Sequence, residues 1–160
     1  MAYNVEKTKN KISEIKKNIE TKKGELSNLE KNKKELLNAE MSIQGADLDV
    51  KVQKTVMDAI NQALEANAEK GKELSSELNE NTTDLEDMKQ DTQSSLESSK
   101  SEEAKLAQKK ALLDKFGLGQ HLERGISDLK SNQGELGDIN KELIDAQREI
   151  SDVSKKLNLL

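Results

Sequence analysis

His121 is the only histidine among 160 residues, so any histidine-based catalysis would have to use it. It follows Gly117 and Gly119, and no cysteine is present to serve as its nucleophile. No serine stands near it in a strand-turn-helix context. A di-iron carboxylate bundle needs a Glu-x-x-His motif on each of two helices, which one histidine cannot supply. We therefore expect no enzyme activity, no catalytic residue, no metal and no cofactor, with His121 lying at a helix N-terminus beside a hinge.

Two short acidic runs are the remaining candidates for metal ligands. They read Asp47-Leu48-Asp49 and Asp84-Leu85-Glu86-Asp87. A calcium loop of the EF-hand type needs oxygens at alternating positions, a central glycine and a terminal glutamate, and neither run has that pattern. We interpret the first run as a helix cap and the second as a solvated helix face.

The basic residues do not favour a nucleic-acid partner. Seven lysines fall within the first 23 residues, but glutamates interleave them. Residues 115–120 precede a leucine repeat without being basic, unlike the cationic helix that runs into a basic zipper. Arg124 and Arg148 are the only arginines, so the side chain best suited to bidentate base and phosphate contacts is scarce.

The elements that would position any site are helices. Only 32% of the residues are apolar, 36% are charged, and proline is absent. Tyr3 and Phe116 are the only aromatic residues. This composition predicts an all-α protein, about 85% helical, that forms one elongated antiparallel hairpin or bundle with coiled-coil character. We place its helices at about 4–44, 48–91, 102–116 and 120–160.

The clearest pattern is a heptad seam in the last 40 residues. Apolar side chains recur there every seventh residue, with a companion row three positions further on: Leu122, Leu129, Leu136, Leu143, Ile150 and Leu157, then Ile139, Ala146, Val153 and Leu160. A stripe this narrow cannot form a globular core alone. We therefore expect this C-terminal seam to pack against another helix, in this chain or in another.

The first helix carries the same kind of repeat and ends at a predicted turn. Its two rows hold Val5, Ile12, Ile19 and Leu26, and Ile15, Leu29, Leu36 and Ile43, with Lys22 and Lys33 as polar interruptions. Gly45 is predicted to adopt the left-handed conformation that ends a helix, and Asp47 to cap the next one. Residues 5–43 should then fold antiparallel to residues 48–88. The net charges of residues 1–40 and 41–104, +3 and −9, agree with that pairing.

Two further interruptions are predicted. Residues 92–101 contain five serines and Leu96 as their only apolar residue, which favours a loop or a reversal. An unbroken helix stays open there, because the segment has no glycine or proline. Gly117 and Gly119 bracket Leu118 and form a strong helix stop or hinge.

The sequence shows no Sec signal peptide and no apolar run long enough to span a membrane. We expect synthesis in the cytoplasm, with any export by a specialised secretion system. Cysteine is absent, so the redox compartment stays open.

Part of the chain resembles a known class of secreted helical proteins. A first helix of about 40 residues, the turn Ile43-Gln44-Gly45 and a second amphipathic helix are similar to the helical-hairpin proteins of type VII (ESX-like) secretion. Their turn carries Trp-x-Gly, or Leu-x-Gly in the LXG toxins, whereas Ile43 stands at that position here. Residues 154–160 contain no Tyr-x-x-x-Asp/Glu export motif. Residues 110–119 and the following helix resemble helical targeting modules of bacterial polymorphic toxins.

Two functions remain open. The resemblance implies a non-enzymatic protein-protein interaction module, such as a type VII secretion substrate, a targeting chaperone or a toxin partner, in which Ile43 and Gly45 are turn residues. Its partner would be another helical protein or a second copy of the chain. The alternative is an architectural coiled-coil spacer that assembles only with itself. Exposure of the C-terminal seam would separate the two.

Overall fold

The chain is all-α, as the composition predicted. A computed structural model describes residues 3–160, of which 91% are helical. Its helices are α1 (Val5–Gln44), α2 (Val50–Asp114) and α3 (Gln120–Asn158), and the described residues include no strand. The predicted all-α class is therefore confirmed.

The described residues divide into two compact units. Unit 1 comprises residues 3–15 and Thr83–Gln147, and unit 2 comprises Lys16–Thr82 and Arg148–Leu160. Each of the three helices contributes one segment to each unit. Neither unit is a contiguous stretch of sequence.

In unit 1, α2 and α3 run antiparallel. Gln147 donates to Glu86 at 3.0 Å, and the Lys110 ammonium lies 3.6 Å from the Glu123 carboxylate. The residue numbers of both pairs add up to 233, as antiparallel pairing requires. The buried apolar side chains of this unit come from all three helices: Ile12, Ile15, Leu85, Met88, Leu136, Ile139, Leu143 and Ala146.

In unit 2, α1 and α2 form an antiparallel pair joined by a five-residue connection. The Gln53 side chain donates to the Ile43 carbonyl at 3.4 Å. The Asn67 side chain donates to the Leu29 carbonyl at 3.0 Å. Both pairs of residue numbers add up to 96, which fixes the register between the two helices.

The third helix of unit 2 is the end of α3, and it runs parallel to α1. The Lys23 ammonium lies 3.8 Å from the Glu149 carboxylate, and Lys33 donates to the Leu159 carbonyl at 3.0 Å. The residue numbers differ by 126 in both pairs. The buried apolar side chains of this unit are Ile19, Leu26, Leu29, Ile60, Leu74, Leu78, Ile150, Val153 and Leu157.

The break that the composition of residues 92–101 favoured is absent: α2 is one helix of 65 residues, the alternative that the sequence left open. Small polar side chains fill its buried positions there. Thr92 is buried and shares a 2.8 Å hydrogen bond with the Tyr3 hydroxyl. Ser99, also buried, donates to the Leu129 carbonyl at 3.4 Å. Because these hydroxyl groups have partners in Tyr3, just before α1, and in Leu129 of α3, the segment packs as helix despite its low apolar content.

The turn between α1 and α2 differs in detail from the prediction. α1 ends at Gln44, as the turn motif indicated, but Gly45 is not left-handed, since Gly117 is the only described residue with a positive φ. The cap of α2 is Asp49 rather than Asp47: its carboxylate accepts a hydrogen bond from the Lys51 amide at 3.0 Å. Asp49 directly precedes the first residue of α2, where a carboxylate can reach a free amide of the first turn.

The glycine pair after α2 ends that helix through a Schellman motif. Gly117 has a φ of +74°, the Leu118 amide donates to the Leu113 carbonyl at 2.9 Å, and the Gly117 amide donates to the Asp114 carbonyl at 3.1 Å. A Cβ at Gly119 would overlap the Asp114 carboxylate, so the start of α3 lies tightly against the end of α2.

Candidate interaction surface

The C-terminal seam is buried by the chain's own helices. In unit 1 it buries Leu136, Ile139 and Leu143, and Leu122 and Leu129 are half-buried. In unit 2 it buries Ile150, Val153 and Leu157, and Leu160 is half-buried. The seam therefore packs within this chain, which was the first of the two possibilities that the heptad pattern left open. Its buried rows do not offer a free surface to a partner.

The exposed large apolar side chains lie elsewhere, and half of them are in unit 2 close to the α1–α2 turn. We call residues 34–66 the hairpin end. Its exposed members are Leu37, Met41, Leu48, Val50 and Val52. Met41 is 71% exposed and Val50 is 78% exposed. Large apolar side chains that are clustered in water mark interaction sites more often than singly scattered ones do.

A groove at the hairpin end lies between α1 and the C-terminal end of the described residues. Up to that point α3 packs against α2, because a Cβ at Gly71 would lie 3.2 Å from the Leu160 side chain. Lys33 closes the end of α3 by donating to the carbonyls of Leu159 and Leu160 at 3.0 and 3.2 Å. The whole groove has a volume of about 630 Å³, and its lining includes Leu37 and Met41 of α1 together with Leu160.

The α2 row that contains Gly71 continues toward the α1–α2 turn as apolar residues. Positions seven residues apart share a helix face in a coiled coil. Starting from Gly71, which faces α3, this row holds Leu64, Met57 and Val50. Leu64 and Met57 are half-buried, and Val50 is exposed. This row of α2 therefore holds apolar residues over the three heptads that precede Gly71.

The α1 side changes character at the same level. Beside Asp152, Val153 and Lys156 of α3, α1 contributes the buried Leu26 and the polar Lys23, Ser27 and Glu30. Leu37 lies one heptad after Glu30, and Met41 lies two heptads after Ser27.

Charge is distributed unevenly along this groove. At its α3 end the lining includes Lys33, Lys34 and Lys156 against one carboxylate, Glu30. The connection 45–49 carries Asp47 and Asp49, and Lys51 and Lys54 follow at the start of α2. Asp47 is exposed, as is Lys34.

A second, smaller group of exposed apolar side chains lies in unit 1. Leu112, Phe116 and Leu118 surround the Schellman turn between α2 and α3, and Phe116 is 78% exposed. His121 is exposed in the first turn of α3. No three side chains of histidine, aspartate or glutamate within residues 3–160 come together in a way that could hold a metal ion.

The predicted turn residues lie at the two connections between the helices. Gly45 and Asp47 are exposed at the α1–α2 connection, and Ile43 is half-buried just before it. Gly117 and Gly119 form the α2–α3 connection. The groove residues Leu37 and Met41 were missed, because they stand beside the heptad rows rather than in them. The available signal was the widening of the apolar stripe on α1 from Leu36 onward.

Comparisons with family models, with curated proteins and with solved structures gave no match for this chain. Within residues 3–160, none of the helices combines the length and the apolar character that crossing a bilayer requires.

Proposed function

We propose that this chain is a non-enzymatic helical protein-protein interaction module. The observation that carries the proposal is the location of its exposed apolar side chains. They cluster at the two helix connections, around Met41 and Val50 in unit 2 and around Phe116 in unit 1, while the heptad seam is buried. A partner is therefore expected at the connections rather than along the seam.

The cellular role that we propose is that of a type VII secretion substrate, targeting chaperone or toxin partner. Its support is the resemblance of residues 1–90 to hairpin proteins of that system. The location of the turn after Ile43, at the end of a 40-residue α1, agrees with that resemblance. The partner in this role is another helical protein, because an amphipathic helix fits an apolar groove between two helices.

Photo-crosslinking in the native host tests the proposal. A photoreactive residue is placed at Met41, at Phe116 or, as a control, at the exposed Lys100 of α2. We expect covalent adducts at Met41 or Phe116 that include a different helical chain, identified by mass spectrometry, and none at Lys100. Adducts only between copies of this chain would favour the architectural spacer instead. Equal adducts at all three positions, or none, would contradict the proposal.

A further inference from the structure

We propose that the end of unit 1 at the α2–α3 connection docks on a lipid bilayer whose surface carries anionic headgroups. We call residues 104–124, which include this connection, the unit 1 tip. The inference goes beyond the proposed function, because it adds a lipid partner to a protein partner. It concerns binding at the surface of a bilayer, where apolar side chains enter the boundary between headgroups and acyl chains, and not a membrane span.

Three large apolar side chains of the unit 1 tip are exposed to water. Leu112 is 60% exposed, Phe116 is 78% exposed and Leu118 is 48% exposed. Phe116 is one of only two aromatic residues in the chain. All three side chains come from a stretch of seven residues, so they form one cluster rather than scattered apolar positions. Transfer of such a cluster from water into the headgroup boundary is favourable.

The Schellman motif fixes the backbone that carries this cluster. The amides of Phe116 and Leu118 both donate to the Leu113 carbonyl at 2.9 Å. A Cβ at Gly119 would overlap the Asp114 carboxylate, so the connection lies tightly against the end of α2. A turn that is already formed loses little conformational entropy when it binds, which favours docking of the three apolar side chains together.

The unit 1 tip is cationic, although the chain as a whole is acidic. Residues 104–124 contain five bases and two acids, which gives this segment a net charge of +3. The whole chain has a net charge of −5, so the residues outside the tip carry −8. Each basic residue beside an anionic bilayer strengthens binding by about fivefold. The charge of the tip therefore complements a bilayer surface that contains anionic lipids.

Both acids of the tip are already paired with one lysine. The Lys110 ammonium lies 3.5 Å from the Asp114 carboxylate and 3.6 Å from the Glu123 carboxylate. The other bases of the tip are exposed and form no ion pair within residues 3–160: Lys105, Lys109, Lys115 and Arg124. Their charge is therefore available to a partner, whereas that of the two carboxylates is offset.

The available bases and the apolar cluster share one side of α2. Lys105, Lys109 and Leu112 follow one another at spacings of four and three residues, which places them on one helix face. Phe116 comes four residues after Leu112, in the terminal turn. Lysine side chains beside an inserted apolar group extend along it to reach the headgroups. A nucleic acid would engage the same bases, but it offers no apolar layer to Leu112 and Leu118.

The first test measures the electrostatic part on the full chain by flotation with phosphatidylcholine vesicles, with or without about 30% phosphatidylserine. We expect binding to the anionic vesicles to be at least tenfold stronger and to weaken as the salt concentration rises. Lys109→Glu with Lys115→Glu should weaken that binding at least tenfold. The matched control, Lys51→Glu with Lys54→Glu, changes net charge equally at exposed lysines of unit 2 and should bind like the wild type. A wild-type chain that binds neither kind of vesicle, or equal weakening by the control, would overturn the inference.

The second test measures insertion. Because the chain has no tryptophan, Phe116→Trp places a single indole at the tip. Its fluorescence is expected to shift to shorter wavelength on anionic vesicles and to be quenched by lipids brominated on their acyl chains. The matched control is Val50→Trp, since Val50 is also 78% exposed but lies in unit 2, and its emission should stay unchanged.

The apolar contribution is also measured by removal of the side chains. Leu112→Ser with Phe116→Ser should weaken binding to anionic vesicles at least fivefold, with unchanged helicity by circular dichroism. If this variant binds as tightly as the wild type and the indole at position 116 shows neither shift nor quenching, the attraction is electrostatic alone and the proposed docking is wrong.

This inference and the proposed function can fail separately. If the chain does not bind vesicles while Phe116 forms adducts with another protein in the host, lipid docking is ruled out and the interaction module stands. If vesicle binding depends on the tip as expected and neither Met41 nor Phe116 forms protein adducts, lipid docking stands and the interaction module is wrong.

Discussion

The Asn67 side chain, buried on α2, donates a hydrogen bond to the main-chain carbonyl of Leu29 on α1 at 3.0 Å. Asn67 lies in a stripe otherwise occupied by Ile60, Leu74 and Leu78. A buried asparagine in such a seam satisfies its amide in one register of the two helices and leaves it without that partner in a shifted one. Asn67 therefore specifies the pairing of α1 with α2 in unit 2.

Two substitutions of Asn67 distinguish its contribution to the free energy of unfolding from its contribution to the register of α1 and α2. Asn67→Leu is expected to raise the free energy of unfolding by about 1 kcal/mol, because it exchanges a buried amide for an apolar side chain of similar size. Asn67→Ala should lower it by about 1 kcal/mol through loss of contacts and of the hydrogen bond. Urea unfolding followed by circular dichroism measures both. A loss of stability in both variants would show that the amide contributes more than register.

The Schellman turn provides a contrast between two glycines. Gly117→Ala forces a Cβ onto a residue with φ of +74° and should lower the free energy of unfolding by about 1–2 kcal/mol. Gly45→Ala should change it by less than about 0.5 kcal/mol, because Gly45 is not left-handed and its added Cβ would lie 3.6 Å from the Met41 carbonyl oxygen. Equal destabilisation of the two variants in urea would contradict this assignment of the turns.

Adjacent residues of α3 test the burial of the seam. Leu143 is fully buried and its neighbour Ile144 is 38% exposed. Leu143→Ala should therefore lower the free energy of unfolding by about 2–5 kcal/mol, and Ile144→Ala by less than about 1 kcal/mol. Hydrogen exchange of α3 amides in the same pair locates the effect. Similar costs for both residues would mean that the heptad row is not the buried one.

The Tyr3–Thr92 hydrogen bond of unit 1 can be measured by a double-mutant cycle. Tyr3→Phe and Thr92→Val each remove one hydroxyl of the 2.8 Å contact, which lies at a nearly inaccessible threonine. We expect a coupling free energy of about 0.5–1.5 kcal/mol. Tyr3 is the only tyrosine, so its fluorescence reports on the same site without interference. Additive effects would show that the two hydroxyl groups do not stabilise each other.

The helices could be predicted from the sequence where apolar residues repeat. The prediction failed where polar residues are buried. The rows of α1 and α3 are regular enough to identify both helices. Lys22 was interpreted only as a polar interruption of the apolar repeat on α1, but its ammonium lies 3.1 Å from the Glu77 carboxylate of α2. The polar composition of residues 92–101 favoured a break. The hydrogen bonds of Thr92 and Ser99 could not be foreseen, because their partners, Tyr3 and Leu129, are far away in sequence. Such pairings depend on the register of other helices, which local composition does not encode.

The candidate surface was less predictable than the fold. The heptad pattern identified an apolar seam on α3 but carried no information on whether the chain itself covers it. That answer depends on how α3 packs against the other helices, which buries Leu136, Leu143 and Leu157. Leu37 and Met41 are recognised only in the structure, where they follow Lys33, which donates to the carbonyls of Leu159 and Leu160.

The division of every helix between the two units has a consequence for biosynthesis. The α1–α2 pair of unit 2 is joined by five residues and can close as soon as residue 82 has left the ribosome. Unit 1 needs residues 3–15 together with Thr83–Gln147, so its N-terminal segment waits for more than a hundred further residues to be synthesised. During that interval the apolar side chains of Ile12 and Ile15 are without the neighbours that α3 contributes to unit 1. A nascent chain of this kind has a prolonged exposure to chaperones, set by the order in which its segments emerge.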